Sequence, residues 1–149
     1  MAAEFDLVRM EGSESPAKLI DVRKAPSKFF SSANLLAEAR SACKRAKFLH
    51  FNAYDADVGL MKACAINGCT LVMAVTDLLN LKAGEKAKKL ARMKRFAALA
   101  NHFFAKVKVA TLARNEYELR SGFELRAVAE LLGMAPGQAK AMGGMNMPA

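Results

Sequence analysis

Two histidines and three cysteines in 149 residues leave several kinds of chemistry without their usual side chains. His50 and His102 stand apart, and no HxH or HExxH spacing supplies a second imidazole for a metal ion. His50 falls in an expected strand and His102 on an expected helix, positions that suit satisfied structural histidines. Cys43, Cys64 and Cys69 are odd in number and contain no CxxC pair, which points to reduced, buried thiols rather than to disulfides or zinc. GxGxxG, GxxxxGK[ST] and GxSxG are all absent, so no dinucleotide fingerprint, phosphate loop or nucleophile elbow is present. The longest strongly apolar run, Cys69–Val75, is far short of the roughly 18 residues of a membrane span. The first residues lack the basic-then-apolar pattern of a secretory signal. These absences predict a soluble, cytoplasmic protein with no catalytic constellation, no bound metal or cofactor of its own and no membrane partner.

What is present is a substantial apolar content and an uneven charge. Hydrophobic residues make up 53% of the chain and charged residues 25%, enough for one ordinary domain with a real core. The net charge is +9. Residues 1–81 hold ten basic and nine acidic side chains, whereas residues 82–126 hold twelve basic and four acidic, a local excess of +8. Charge gathered into one stretch favours an anionic partner over a dispersed aid to solubility.

Short apolar runs alternate with helical patterns. Phe5–Met10 and Lys18–Val22 read as two short strands joined as a hairpin by the turn cluster Glu11–Pro16. Ser31 or Ser32 is placed to cap a helix running to about Arg45. Lys47–Phe51 is the next strand. Asp55 or Asp57 caps a helix that ends at Asn67-Gly68. Thr70–Val75 is apolar throughout, as in a strand buried on both faces. A long helix from about Glu85 to Phe104, a strand at Lys106–Leu112 and a helix from Gly122 to Leu132 complete the series. This order implies an α/β fold with a largely parallel sheet. The expectation is a single domain over residues 1–142 of about four to five strands with helices packed outside. Such a set makes a truncated (β/α) arrangement, not a complete eight-stranded barrel. Residues 143–149 form a flexible tail.

Two basic features stand out. On the long helix, Leu90, Met93, Ala97, Ala100 and Phe104 share an arc of about 80° at 100° per residue, while Lys88, Arg92 and Arg95 form a stripe opposite. Like charges at this spacing repel by a few tenths of a kcal/mol per pair, so the stripe reads as facing an anionic partner, with RNA, DNA, a phosphorylated ligand or a membrane surface as the candidates; a merely solvated basic face remains the other reading. The second feature is Ala113-Arg-Asn-Glu-Tyr-Glu-Leu-Arg-Ser-Gly-Phe-Glu-Leu-Arg126, which begins at the carboxyl end of a strand, where functional loops of parallel sheets gather. Arg114, Arg120 and Arg126 suit phosphate oxygens, and Tyr117 or Phe123 can stack or brace the loop. Local pairing of these arginines with Glu116, Glu118 and Glu124 is the alternative.

From about Cys69 to Met134 the sequence resembles ribonuclease P protein component three, the TIM-barrel-like protein subunit of archaeal and eukaryotic ribonuclease P. The resemblance rests on Thr70–Val75 followed by Asp77-Leu78-Leu79, on the basic helix Lys86–His102, and on the segment Ala113–Arg126 with Leu131-Leu-Gly-Met134. Its most specific part is Glu118, Leu119, Arg120, Ser121, Phe123 and Leu125; Gly122 replaces the family's proline, and Glu124 replaces its aspartate with the charge kept. The chain resembles a shortened archaeal member that lacks much of the amino-terminal barrel.

The resemblance implies a non-catalytic subunit that works with the ribonuclease P RNA, which uses Mg²⁺ to remove the 5′ leader of precursor tRNA. It implies a small ferredoxin-like protein as partner and makes Arg120 and Glu124 important positions, Glu124 as an orienting residue and Tyr117 as a structural one. Because a short row of strands with helices on one side leaves an open edge and a bare apolar face, a homodimer is also expected. Two other classes stay open: a small α/β module that binds a phosphorylated metabolite, and a degenerate metal-dependent phosphoesterase-like barrel.

Overall fold

The structure, a computed structural model, describes residues 5–10, 18–79 and 81–134. The turn cluster, the expected domain end and the expected tail lie outside these residues. Among the described residues six strands and four helices follow one another: β1 (Phe5–Val8), β2 (Lys18–Asp21), β3 (Phe30–Ala33), α1 (Leu36–Ala42), β4 (Phe48–Phe51), α2 (Val58–Asn67), β5 (Thr70–Ala74), α3 (Ala83–His102), β6 (Val107–Ala110) and α4 (Gly122–Leu131). The fold is α/β, with a four-stranded parallel sheet in the order β3-β4-β5-β6 and a two-stranded parallel sheet β1-β2. It is not a closed barrel: among the described residues no ladder joins β2 to β3. No described helix is long and apolar enough to cross a membrane.

Local chemistry accounts for much of this. All five residues of β5 and all four of β4 are buried, as in strands between two covered faces, with Thr70 and His50 their polar members. Asp57 caps α2 by accepting the backbone N–H of Leu60, and Gly68 ends that helix in the left-handed conformation at φ 68°, where a β-carbon would be strained. α4 opens on a full capping box: the Ser121 hydroxyl accepts the Glu124 N–H, and the Glu124 carboxylate accepts the Ser121 N–H.

Three expectations are corrected. β1 and β2 are parallel, with Phe5 opposite Lys18 and Val8 opposite Asp21, not a hairpin. Their connection, residues 9–17, is shorter than the dozen or so residues a parallel crossover usually takes, so composition alone suggested the tighter return. Ser31 and Ser32 do not cap a helix but lie in β3; α1 starts after Leu35, which makes no side-chain cap. Serine serves both as a cap and as an exposed edge residue, and only the pairing of β3 with β4 decides between them. Phe104 leaves the core face of α3 altogether, 89% exposed at φ 60°, because the helix has already ended; Phe96, fully buried, takes that role.

The sheet separates two cores. On the helical side Leu49, Phe51, Leu71, Met73 and Val109 pack against Leu60, Met61, Met93, Phe96 and Leu125. On the other side Leu7, Val22, Phe30, Phe48, Val72, Ala74, Ala110 and Leu112 form a second cluster, with Ile20 packed against it. The bare apolar face expected of a one-sided sheet is therefore filled from within the chain. β1 closes onto the end of β6, where Leu112 N–H donates to Leu7 O at 2.9 Å and Arg9 N–H donates to Ala113 O at 2.8 Å. Cys43, Cys64 and Cys69 are buried and free, and burial pushes the Cys43 thiol up to about 11.

Two charges are buried as well. The Asp6 carboxylate accepts Thr111 N–H at 3.0 Å and the Thr111 hydroxyl at 2.6 Å, and burial raises its pKa despite these bonds. Lys108 is 4% exposed; burial lowers its pKa to about 8, against the pull of Asp6. A lysine depressed on folding binds a proton more readily in the unfolded chain, so charging it opposes folding below its folded pKa, and the penalty fades as pH rises toward the ordinary value. The stability of the native chain relative to a Lys108→Met variant should thus rise by about 3 kcal/mol between pH 7 and 10.5. Urea unfolding of both proteins across that range measures it; a flat difference would show that Lys108 is not desolvated in the fold.

Candidate functional site

Parallel strands bring all their carboxyl ends to one side, and the loops leaving them share that end. Arg9 follows β1, Asn34 follows β3, Asn52 and Tyr54 follow β4, Asp77 follows β5, and Arg114 and Glu118 follow β6. α3 starts from the same end and contributes Lys89 and Arg92.

His50, 4% exposed on β4, sits at the centre. Arg9 Nη2 lies 3.2 Å from His50 Nδ1, and His50 Nε2 lies 2.8 Å from Asp77 Oδ2. A guanidinium can only donate, so Nδ1 accepts from Arg9 and the ring hydrogen sits on Nε2, directed at Asp77. The Tyr54 hydroxyl donates to the same carboxylate oxygen at 2.6 Å and accepts Ala74 N–H at 2.9 Å. Burial disfavours the Asp77 anion, but the hydrogen bonds from His50 and Tyr54 and the charge of Lys89 outweigh it, so its pKa falls below the usual carboxylate value. Burial, reinforced by the Asp77 charge, pushes the Tyr54 phenol well above its ordinary value. In this arrangement Tyr54 is a permanent donor and the histidine–aspartate pair holds Arg9 rather than presenting a free base. His50 is the satisfied histidine that its strand position suggested.

Two non-glycine residues at this end have left-handed backbone: Tyr54 at φ 50° and Leu112 at φ 46°. Each costs roughly 1–2 kcal/mol relative to the right-handed region, and such strain tends to collect at functional sites. Tyr54 is held there by its two hydrogen bonds, and Leu112 by the bond to Leu7.

The cations expected from sequence divide into three groups. Lys88 and Arg95 are exposed and have no ion-pair or hydrogen-bond partner among the described residues. Arg92 departs from its expected place in a solvent-facing stripe: its Nη1 donates to Ala53 O at 3.2 Å and lies 3.8 Å from Asp55 Oδ1. Lys89 turns to the same loop, donating to Asn52 O at 2.6 Å with its ammonium 5.1 Å from the centre of the Tyr54 ring.

Arg114 and Arg120 are locally tied, as the pairing alternative had it. Glu118 accepts the backbone N–H, Nε and Nη2 of Arg114 at 2.8, 3.3 and 3.1 Å; these bonds hold the Glu118 carboxyl below its usual value. Arg120 Nη1 donates to Tyr117 O and Leu119 O at 3.0 and 2.8 Å, and its Nε lies 3.7 Å from Glu124 Oε2. Arg126 has its Nε buried with no acceptor among the described residues. Tyr117 is 93% exposed and makes no ring contact among the described residues, while the Phe123 side chain lies outside the described residues. No group of three metal-ligating side chains occurs among the described residues.

Sequence reasoning did not single out Arg9, Tyr54, Asp77 and Lys89 as site residues. The available signal was positional: one polar residue just beyond each of several consecutive strands. Because Tyr54 satisfies the buried Ala74 N–H, Tyr54→Phe should destabilise the fold by about 1–3 kcal/mol, read by urea denaturation; a loss below about 0.5 kcal/mol would mean that water replaces the hydroxyl. No protein-family model matches this chain, and no curated protein matches it at a significant level.

Proposed function

We propose that this chain is a non-catalytic, RNA-binding protein subunit of ribonuclease P. The observation that carries the reading is the convergence of its basic segments: the start of α3 and the loop after β6 leave the same end of a parallel sheet, so Lys89, Arg92, Arg114 and Arg120 leave that end with Arg9. Structured RNA offers closely spaced phosphates to such a surface, and contacts of this kind position RNA without reading its bases. The fold that goes with the proposal is a truncated TIM-barrel-like domain. Its supports are six parallel strands that neighbour one another in sequence order within each sheet, an inner cluster fed by all six, and the return of β1 onto β6. The Glu118–Leu125 motif carries the family resemblance, and its capping box and Arg120–Glu124 proximity give its polar residues definite structural work. In this reading the protein is cytoplasmic, Mg²⁺ belongs to the RNA, and a small ferredoxin-like subunit is the protein partner.

Purified alone, the chain should leave precursor tRNA intact; added with its partner to the RNA, it should raise cleavage or lower the Mg²⁺ requirement. Robust cleavage by the protein free of RNA overturns the proposal. Replacing Lys88, Arg92 and Arg95 together by Ala should flatten the plot of log affinity against log salt by up to about one unit per lost phosphate contact. Arg92, already tied to Ala53 O, should contribute the least of the three. An unchanged slope assigns this face of α3 to solvent.

A further inference from the structure

Arginines that only brace a fold are commonly neutralised by a carboxylate. Arg9 is not: among the described residues its side chain bonds to the imidazole nitrogen of His50 at 3.2 Å and to no carboxylate. Asp77 fixes the tautomer that makes this possible, because a neutral imidazole whose Nε2–H is given to Asp77 offers a lone pair at Nδ1. The result is a guanidinium held in place by a neutral acceptor, with its full charge retained. Its remaining donors have no partner among the described residues, and none of them is sealed from solvent.

Arg114 stands beside it. The backbone N–H of Arg9 donates to the carbonyl of Ala113, so the two arginines leave adjacent chain segments. Leu112, left-handed at φ 46°, turns the chain at this point, and its own N–H is bonded to Leu7 O. Glu118 grips Arg114 through Nε and Nη2 and leaves Nη1 uncommitted on a side chain that is 58% exposed. Asp55, Asp77 and Glu118 are acids on the loops at this end, and Asp55 lies 3.8 Å from Arg92 Nη1. Asp77 is occupied by His50 and Tyr54, and Glu118 by Arg114, so neither neutralises Arg9.

We propose that Arg9 and Arg114 form a phosphate-binding pair at the carboxyl ends of β1 and β6, with His50 and Asp77 as positioning residues, and that its ligand is a phosphodiester of the RNA backbone. The identity of the ligand rests on the function proposed above; the pair itself rests on the geometry. A planar guanidinium with free, fixed donors matches phosphate oxygens better than a flexible ammonium does.

The test uses the full chain with two probes, a tRNA-sized structured RNA followed by filter binding across a salt series and pyrophosphate followed by calorimetry. Arg9→Gln and Arg114→Gln should each lower the RNA salt slope by about one unit, and Arg9→Lys should keep the slope. In a His50→Gln background, Arg9→Gln should lose most of its effect, a non-additivity that general destabilisation would not produce. Circular dichroism melting identifies any variant that fails to fold, and the Arg114 variant then carries the measurement. A steep RNA slope left unchanged by both glutamine variants overturns the pair and leaves the RNA-binding function standing. Saturable pyrophosphate binding that needs Arg9, with no RNA binding, supports the pair, assigns it to a small phosphorylated ligand and overturns the RNA reading. Binding of neither probe by the native chain overturns both.

Discussion

A strand that is apolar along its whole length must be covered on both faces, and the rest of this structure follows from meeting that requirement for Thr70–Ala74. Leu71 and Met73 face the helices, where Met93, Phe96 and Ala97 of α3 share their core. Val72 and Ala74 face the opposite way and have no helix to meet. Leu7, Val22, Phe30 and Leu112 cover them instead, which draws the amino-terminal strands back onto the sheet and bonds β1 to the end of β6. One strand's need for two covers thereby determines where the first residues of the chain go, across more than a hundred positions of sequence.

That return of β1 is also what creates the polar end. Arg9 comes within reach of His50 only because Leu7 and Leu112 are bonded, and the same contact sets Arg9 beside Arg114. Below the arginines the polar groups are closely matched: Asp77 takes hydrogen bonds from His50 and Tyr54, and Tyr54 takes one from Ala74. A network this fully used is rigid, since any movement of one member strands a buried donor. Rigidity of this kind suits a surface that positions an anion rather than one that transfers protons. It also explains why strained backbone is tolerated at Tyr54 and Leu112, where the surrounding bonds over-determine the conformation.

The charged groups divide by the cost of their surroundings. Lys108 and Asp6 lie within the fold, where desolvation shifts both toward neutrality. Around the strand ends, by contrast, the cations meet carboxylates and backbone carbonyls at the surface. Arg114 and Arg120 turn out to be ordered by Glu118 and by backbone carbonyls. Pairing of this kind does not remove an arginine from an anion's reach, because a guanidinium has five donors and a carboxylate takes only two of them.

Period and local chemistry were readable in the sequence. The unbroken apolar run at residues 70–75, the Asp57 cap, the Gly68 stop, the long basic helix and the parallel α/β class all follow from rules that act over a few residues, and such rules hold whatever the rest of the chain does. The sequence also located the charge excess and identified Arg114 and Arg120 as loop residues after a strand. Tertiary structure alone decided the rest. Alternation shows which face of a strand is buried but not the direction of its partner, so the parallel pairing of β1 with β2 was invisible. Ser31 and Ser32 became strand residues through pairing with β4, not through their own preference. The set of Arg9, His50, Tyr54, Asp77 and Lys89 joins positions up to 80 apart, and no local pattern marks residues whose only relation is that parallel strands end at the same side of a sheet.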